Sequence, residues 1–358
     1  MLTARKRLAF RLLYVLFLLV LIEVASRAYL ARTEYYGSRA LLRPGRILYG
    51  YYPELEAVEG SAAGRDDGIV DVLFLGGSTL ADYGSGAIMP VLEQKLGEAT
   101  GRKVRVHSLA VPTFSSLDAC TMYRHLTRRS FDLIVYYESI NEVRANNCPA
   151  AIYKDDYSHY AWYRGIGLIE RHRELGLVAF PFVLHELSVG AYRWLHSIPD
   201  TPMQRPRPDR VSFGSEIKTA RSFEQNLEGI IRLAGERGDP LLLVSFAYYI
   251  PPGYTLERFK SKALDYEEHL SPIELWGKPE NVEAGIRAHN EIIRSLYEKH
   301  REDATGRIGF VDLERLMPKD GSCFNDICHL THKGSEQFVD AILGPASDLA
   351  TKSRTALH

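Results

Sequence analysis

The sequence predicts an α/β protein with a central parallel sheet of about five strands and one apolar helix at its N-terminus. Two patterns support this fold class: short apolar runs that alternate with helical patterns between residues 69 and 345, and an uninterrupted apolar run before residue 30. Strands that alternate with helices pair in parallel through right-handed crossovers. The 358 residues therefore fit one large domain with a tether.

The N-terminal run has the features of a membrane segment. Arg5, Lys6 and Arg7 precede it, and residues 12–22 carry no charge. A helix over residues 8–25 reaches about 27 Å, close to the roughly 30 Å hydrocarbon core, if Arg11 extends to the headgroups. We expect residues 1–30 to be an uncleaved signal anchor. A cleaved signal peptide and an apolar helix of a soluble core are the alternatives.

The charge around this run predicts its orientation. More basic residues precede it than follow it, which favours a cytoplasmic N-terminus and an exported remainder, on the periplasmic or extracellular side. We expect a stalk over residues 31–68 and one α/β domain over residues 69–345, followed by a C-terminal tail over residues 346–358. Residues 145–214, rich in Tyr, Trp, His and Arg, interrupt the domain as a helical lid, a surface insertion or a packing element.

The strand and helix predictions follow the spacing of the apolar residues. Strands are expected at residues 69–75, 103–109, 133–137, 241–247 and 308–313. Amphipathic helices are expected at residues 89–99, 117–128, 216–237 and 281–300.

Composition excludes several classes of protein. Lys and Arg number 44 and Asp and Glu 45, so the chain lacks the strong basic charge of a nucleic-acid-binding domain. Four cysteines are too few for a disulfide scaffold and match no zinc pattern; Cys323 and Cys328 could form a disulfide or remain buried thiols. Nucleotide-binding and HExxH motifs are absent. We therefore expect no cofactor and no metal.

Polar residues follow the predicted strands at the edge of the sheet where ligands bind in parallel α/β folds. Ser78 follows the first strand after two glycines, Asn141 follows the third strand, and Asp326 and His329 follow the fifth. A serine needs a base to become a nucleophile, and an acid three residues before a histidine can orient that base. His332 is a rival base.

Other polar residues have simpler explanations. Glu142 is expected at a helix start or on the surface, and His289 to pack or to lie on the surface.

Three motifs resemble those of the SGNH, or GDSL-like, hydrolase family over residues 69–345. They are Gly76-Gly77-Ser78 after a strand, Ser139-Ile140-Asn141-Glu142, and Asp326-Ile327-Cys328-His329 with Gly334 beyond it. The resemblance implies a flavodoxin-like three-layer sandwich. It also implies a nucleophile at Ser78, a base at His329 and its partner at Asp326. The oxyanion hole would consist of the N–H groups of Ser78 and Thr113 and the amide of Asn141.

Two residues depart from the family pattern. Thr113 and Ser139 each stand where the family has glycine, and the β-branched Thr113 would crowd the oxyanion hole. Loss of one oxyanion donor costs about 3 kcal/mol of transition-state stabilisation. These changes could slow the reaction or narrow its substrate range.

The sequence therefore predicts a serine ester hydrolase, or an O-acyl transferase such as an acetyltransferase. Its substrates would be carbohydrate or lipid esters of the cell envelope, and the aromatic residues of 145–214 would suit either sugar stacking or packing. Its partners would be such an ester and, through the N-terminal helix, a membrane, with no nucleic acid. The alternative is a catalytically inactive protein of the same fold that binds or assembles exported polysaccharide.

Overall fold

The computed structural model describes residues 4–32, 47–61, 63, 67–84, 86–127, 129–172, 178–196, 211–302 and 307–355. Its five strands are β1 (Val70–Gly76), β2 (Val104–Ser108), β3 (Leu133–Tyr137), β4 (Leu241–Val244) and β5 (Ile308–Val311). The α-helices of the described residues are α1 (Ala4–Leu30), α2 (Ile47–Tyr51), α3 (Pro53–Gly60), α4 (Ile88–Thr100), α5 (Ser116–His125), α6 (Ile140–Asn146), α7 (Ala161–Arg171), α8 (Ala179–Leu195), α9 (Ala220–Arg237), α10 (Leu256–Lys260), α11 (Pro279–His300), α12 (Leu313–Leu316) and α13 (His332–Thr355).

The strands form one parallel sheet in the order β2-β1-β3-β4-β5. This is the flavodoxin-like order of doubly wound folds. The chain adds β2 on one side of β1 and then adds β3, β4 and β5 on the other side. The predicted fold class is confirmed. The fourth strand is shorter than predicted, because the N–H of Phe246 leaves the ladder and donates to Asn290 Oδ1 at 2.7 Å.

Helices cover both faces of the sheet, which explains why every residue of β1 and β3 is buried. On one face, α4 and α13 pack together over Val70, Val72 and Phe74. On the other face, α5 packs against α9, whose buried side chains follow the predicted helical register, and α9 packs against α11. This three-layer arrangement holds the carboxyl ends of β1, β3 and β5 in fixed register.

The chain divides into two compact units. One comprises Met1–Glu56 and Ser158–Thr201, and the other comprises Ala57–Tyr157 and Pro202–His358, which contains the whole sheet. Within the described residues of the predicted 145–214 insertion, α7 and α8 belong to the first unit. Residues 33–46, 62, 64–66, 173–177, 197–210 and 356–358, which include parts of the predicted stalk, insertion and tail, lie outside the described residues.

The first unit is built around α1 and α8. Glu23 of α1 accepts hydrogen bonds from the N–H groups of Ala179 and Phe180, at 2.9 and 3.0 Å, and so caps the N-terminus of α8. The same carboxylate pairs with Arg27 at 2.6 Å. A Cβ atom on Gly165 of α7 would lie 2.0 Å from the Tyr51 hydroxyl oxygen, so α7 can approach α2 only with glycine at that position.

Helix α1 is long and apolar enough to cross a membrane. It has 27 residues, and its most apolar 18-residue window has a mean hydropathy of 2.4 with no part of that window buried. A signal sequence near the N-terminus would meet the same criteria of length and hydropathy. Helix α8 also exposes large apolar side chains, namely Leu184, Leu187, Tyr192, Trp194 and Leu195.

All four cysteines are buried, and Cys323 and Cys328 are free thiols.

Candidate active site

Ser78, His329 and Asp326 form a continuous chain of hydrogen bonds at the carboxyl end of β1. Ser78 Oγ lies 2.8 Å from His329 Nε2, and His329 Nδ1 lies 2.6 Å from Asp326 Oδ2. The second oxygen, Asp326 Oδ1, accepts from the N–H groups of Cys328 and His329, at 3.0 and 2.9 Å. Because both carboxylate oxygens are held, the Asp326 side chain has one orientation, and it fixes the imidazole in turn.

These contacts determine which nitrogen of the neutral histidine ring carries the hydrogen. With its Nδ1–H donated to Asp326, the neutral ring of His329 presents the lone pair of Nε2 to the Ser78 hydroxyl. Two aromatic rings lie beside the imidazole: Tyr83 at a centroid distance of 5.0 Å and Trp276 at 6.4 Å. Trp276 is buried, whereas Tyr83 is 48% exposed, so the Tyr83 ring is accessible next to the base.

The loop that carries Asp326 and His329 is closed by backbone contacts. The N–H of Asn325 donates to the carbonyl of His329 at 2.7 Å, and Phe324 and Leu330 form an antiparallel bridge. A Cβ atom on Gly334, in the first turn of α13, would lie 2.1 Å from the Cys323 carbonyl oxygen. Glycine at this point of the motif therefore lets α13 pack directly beneath the loop.

Asn141 lies in the first turn of α6, immediately after β3, and is buried. Its Nδ2 donates to the Phe114 carbonyl at 2.9 Å and lies 3.4 Å from Glu138 Oε2. Its backbone N–H donates to Glu138 Oε1 at 2.8 Å. The Asn141 amide is thus held from two sides, by the loop before α5 and by a buried carboxyl group.

Thr113 has a backbone φ of +79°, in the left-handed region that favours glycine. This is the position at which the family resemblance implies a glycine. The backbone of the loop before α5 therefore has the conformation that glycine would adopt readily, but with a strained β-branched residue in it.

Glu142 was expected at a helix start or on the surface; it lies in the first turn of α6 but is fully buried. Its Oε1 accepts from the N–H of Ser116 at 2.6 Å, and its Oε2 accepts from the Tyr157 hydroxyl. Burial raises the pKa of Glu142 to about 7, against the lowering effect of these hydrogen bonds. The sequence pattern missed this burial because its two partners come from distant segments.

A second serine–histidine pair lies deeper in the fold. Ser139 Oγ is 3.2 Å from His289 Nδ1, and Thr219 Oγ1 is 3.0 Å from His289 Nε2. Burial lowers the pKa of His289 to about 3, so the ring is neutral. The ring has hydroxyl groups at both nitrogens and no carboxylate partner among its hydrogen bonds, as expected of a packing histidine.

The rival base His332 lies on the surface. Its side chain is 65% exposed and its Nε2 lies 3.6 Å from Glu336 Oε1. The structure therefore pairs Ser78 with His329 rather than with His332.

Asp326, Cys328 and His329 are the one group of metal-ligating side chains that the described residues bring together, with ligand atoms within 4.8 Å of one another. Burial raises the pKa of the Cys328 thiol well above its ordinary value, whereas metal binding requires a thiolate. His329 Nδ1 is already engaged by Asp326. This donor set suits proton transfer along the Ser78–His329–Asp326 chain better than metal ligation.

Comparisons with solved structures return acyl hydrolases. A lipase/acylhydrolase from Enterococcus faecalis is similar at 13% identity and a TM-score of 0.41, covering 78% of this chain and 96% of that one. A GDSL-like lipase from Bacteroides thetaiotaomicron is similar at 13% identity and a TM-score of 0.42, covering 83% and 97%. An acetyl xylan esterase is similar at 13% identity and a TM-score of 0.41, covering 77% and 99%. No protein-family model and no curated protein matches the sequence.

Proposed function

We propose that this protein is a serine ester hydrolase or O-acyl transferase with Ser78 as its nucleophile. The observation that carries the proposal is the hydrogen-bonded chain from Ser78 Oγ through His329 to Asp326. A serine hydroxyl at 2.8 Å from an imidazole whose other nitrogen donates to a buried carboxylate can be deprotonated as it attacks a carbonyl.

The reaction would proceed through an acyl-enzyme. Ser78 Oγ attacks the ester carbonyl carbon while its proton passes to His329 Nε2, and Asp326 stabilises the imidazolium. The oxyanion is stabilised by the N–H groups of Ser78 and Thr113 and by the Asn141 amide. Collapse of this intermediate breaks the ester C–O bond, and the alcohol leaves with the proton from His329.

The second half of the reaction decides between the two activities. His329 takes a proton from water in a hydrolase, or from an acceptor hydroxyl in a transferase, and that oxygen attacks the acyl carbon. The C–O bond to Ser78 then breaks and its hydroxyl recovers the proton. Both outcomes use the same three residues, so the acceptor alone distinguishes them.

For substrate, we propose O-acylated, in particular O-acetylated, carbohydrates or lipids of the cell envelope. The half-exposed ring of Tyr83 beside His329 supports this choice, because an aromatic face next to the base can stack on a sugar or an acyl chain.

For location, we propose that residues 1–30 anchor the protein in a membrane and that residues 31–68 form a stalk. Residues 69–345 would then be the exported domain, ending in a tail over residues 346–358. The length and hydropathy of α1 support the anchor. The exposed Leu184, Leu187 and Trp194 of α8, which packs against α1, also favour an apolar environment for the first unit. Protease treatment of cells stripped of their outer envelope, with the cytoplasmic membrane intact, tests the orientation: digestion is expected, and full protection would contradict export.

A catalytically inactive binding protein for exported polysaccharide is the alternative, motivated by Thr113 and Ser139. The buried, fully hydrogen-bonded Asp326 favours the enzyme, because a binding site does not require an oriented base. The test is hydrolysis of short-chain nitrophenyl esters by the full chain in detergent, with and without a carbohydrate acceptor. Activity in the wild type that is absent in Ser78→Ala supports the enzyme. Equal background rates in two folded proteins would support the binding protein.

A further inference from the structure

Glu138 is a buried acid that touches both the residue before the nucleophile and the candidate oxyanion amide. It follows β3 directly and is 1% exposed. Its two oxygens face Asn141 at two points: Oε1 accepts from the backbone N–H at 2.8 Å, and Oε2 lies 3.4 Å from Nδ2. A side chain in this place fixes both the start of α6 and the direction of the amide.

Gly77 leaves the space that Glu138 occupies. A Cβ atom on Gly77 would lie 2.1 Å from Glu138 Oε2 and 2.7 Å from Asn141 Nδ2. These distances are far below van der Waals contact, so no other residue fits at position 77 unless the side chains of Glu138 and Asn141 both move. The glycine before Ser78 is therefore explained by the space that the carboxyl group needs.

We propose that Glu138 is a positioning residue of the active site, which holds the Asn141 amide toward the oxyanion and does so productively in its uncharged form. This inference rests on the proposed esterase function. Asn141 Nδ2 has two hydrogens: one is donated to the Phe114 carbonyl at 2.9 Å, and the other makes a long hydrogen bond of 3.4 Å to Glu138 Oε2. An ionised Glu138 would keep this second hydrogen from the substrate and add negative charge beside the developing oxyanion. The uncharged acid avoids both effects.

The surroundings of Glu138 favour the uncharged form at neutral pH. Burial raises the pKa of Glu138 to about 8, an effect opposed by the hydrogen bond from the Asn141 backbone and reinforced by Glu142. The phenols of Tyr136 and Tyr137 and the thiol of Cys328 also interact electrostatically with Glu138. Burial raises the pKa of each of these three groups, so they stay protonated while Glu138 titrates.

The first experiment measures activity against pH. The full chain in detergent hydrolyses p-nitrophenyl acetate, an ester without a titratable group, and the rate of Ser78→Ala is subtracted at every pH. The wild type is expected to lose kcat as pH rises through about 8, with KM little changed. Glu138→Gln is expected to keep the neutral-pH rate within a few fold and to lose the alkaline decline. Glu142→Gln, the matched control, should retain that decline, with its midpoint at a somewhat lower pH because Glu142 no longer raises the pKa of Glu138.

Removal of the side chain tests the positioning role. Glu138→Ala is expected to lower kcat about 10- to 100-fold with KM nearly unchanged, because the amide loses its orientation. An unchanged kcat in Glu138→Ala, or an alkaline decline that persists in Glu138→Gln, would overturn the inference while leaving the esterase proposal intact. A wild-type rate equal to that of Ser78→Ala would instead overturn the esterase proposal and, with it, the role in catalysis.

A thermal denaturation cycle tests the underlying geometry without any activity. Gly77→Ala is expected to lower the Tm strongly in the wild type, because the new methyl group overlaps the Glu138 carboxyl. In the Glu138→Ala background the same substitution should lower the Tm less, because only the overlap with the Asn141 amide remains. Equal losses in both backgrounds would show that Glu138 does not occupy the space of a side chain at position 77, and would contradict the inference.

Discussion

The described part of the fold contains two serine–histidine pairs, and their surroundings differ in the way that separates a reactive site from a packing contact. His329 donates Nδ1–H to the buried Asp326 and presents Nε2 to Ser78 at 2.8 Å. Among the described residues, the hydrogen-bond partners of His289 are the neutral hydroxyl groups of Ser139 and Thr219. A histidine without an acid can satisfy a buried hydroxyl, but it lacks the countercharge that stabilises an imidazolium. The carboxylate partner of the histidine, rather than the serine–histidine contact, distinguishes the two sites.

The largest expected effect is on the nucleophile. Ser78→Ala should lower kcat/KM for a short-chain ester by roughly 10^5-fold or more, since the group that attacks the carbonyl is gone. Ser139→Ala, the matched control from the other pair, should change it by only a few fold. Steady-state kinetics of the two variants side by side checks this. A larger loss in Ser139→Ala would exchange the roles of the two pairs.

The second largest effect is expected at Asp326, the acid of the hydrogen-bonded chain. Asp326→Asn should lower kcat about 10^4-fold, because the amide favours the wrong imidazole tautomer and removes the countercharge. The variant should still fold, since its side-chain oxygen can accept from the N–H groups of Cys328 and His329. Circular dichroism and a kcat measurement together check the prediction. Near-normal turnover in the folded variant would mean that His329 works without Asp326.

His289→Gln should affect stability rather than activity. The glutamine amide cannot hydrogen-bond both the Ser139 and the Thr219 hydroxyl groups, as the ring does. One buried hydroxyl group then loses its partner, which costs about 1–3 kcal/mol of the free energy of unfolding. Chemical denaturation measures the loss, and kcat per folded molecule should stay within a few fold of wild type. A stable but inactive His289→Gln would show that the second pair takes part in the reaction.

The smallest expected effect is at Thr113. Thr113→Gly relieves the strain of a β-branched residue at a φ of +79° but adds chain entropy to the unfolded state. The net gain in the free energy of unfolding should be below about 1 kcal/mol. Denaturation curves of the two proteins check it. A clear loss of stability would show that the threonine side chain makes a favourable contact that outweighs its strain.

The sequence predicted the sheet well because buried parallel strands are continuous apolar runs bounded by turns, as at residues 133–137. It also predicted that Ser78, Asn141, Asp326 and His329 lie at one edge of the sheet, because the carboxyl ends of parallel strands are neighbours. It did not reveal the buried acids Glu138 and Glu142. Their neighbours come from segments far apart in sequence, and an acid after a strand is equally common on a surface.

One signal for Glu138 was present in the sequence without being decisive. The pair Gly76-Gly77 before Ser78 indicates a tight turn, but it does not indicate what fills the space beside the second glycine. The structure adds that information, since a side chain at position 77 would overlap Glu138. Similarly, the backbone strain at Thr113 could not be predicted from the residues around it, because the φ of one residue depends on the conformation of the whole loop.

The most direct test is covalent labelling of the nucleophile. The full chain is treated with a fluorophosphonate, which reacts with serines activated by a neighbouring base, and the modified peptide is identified by mass spectrometry. We predict a single adduct on Ser78, formed at a rate that falls sharply in His329→Ala and is unchanged in His289→Gln. Labelling of Ser139, or labelling of Ser78 that is equally fast without His329, would contradict the assignment of the active site.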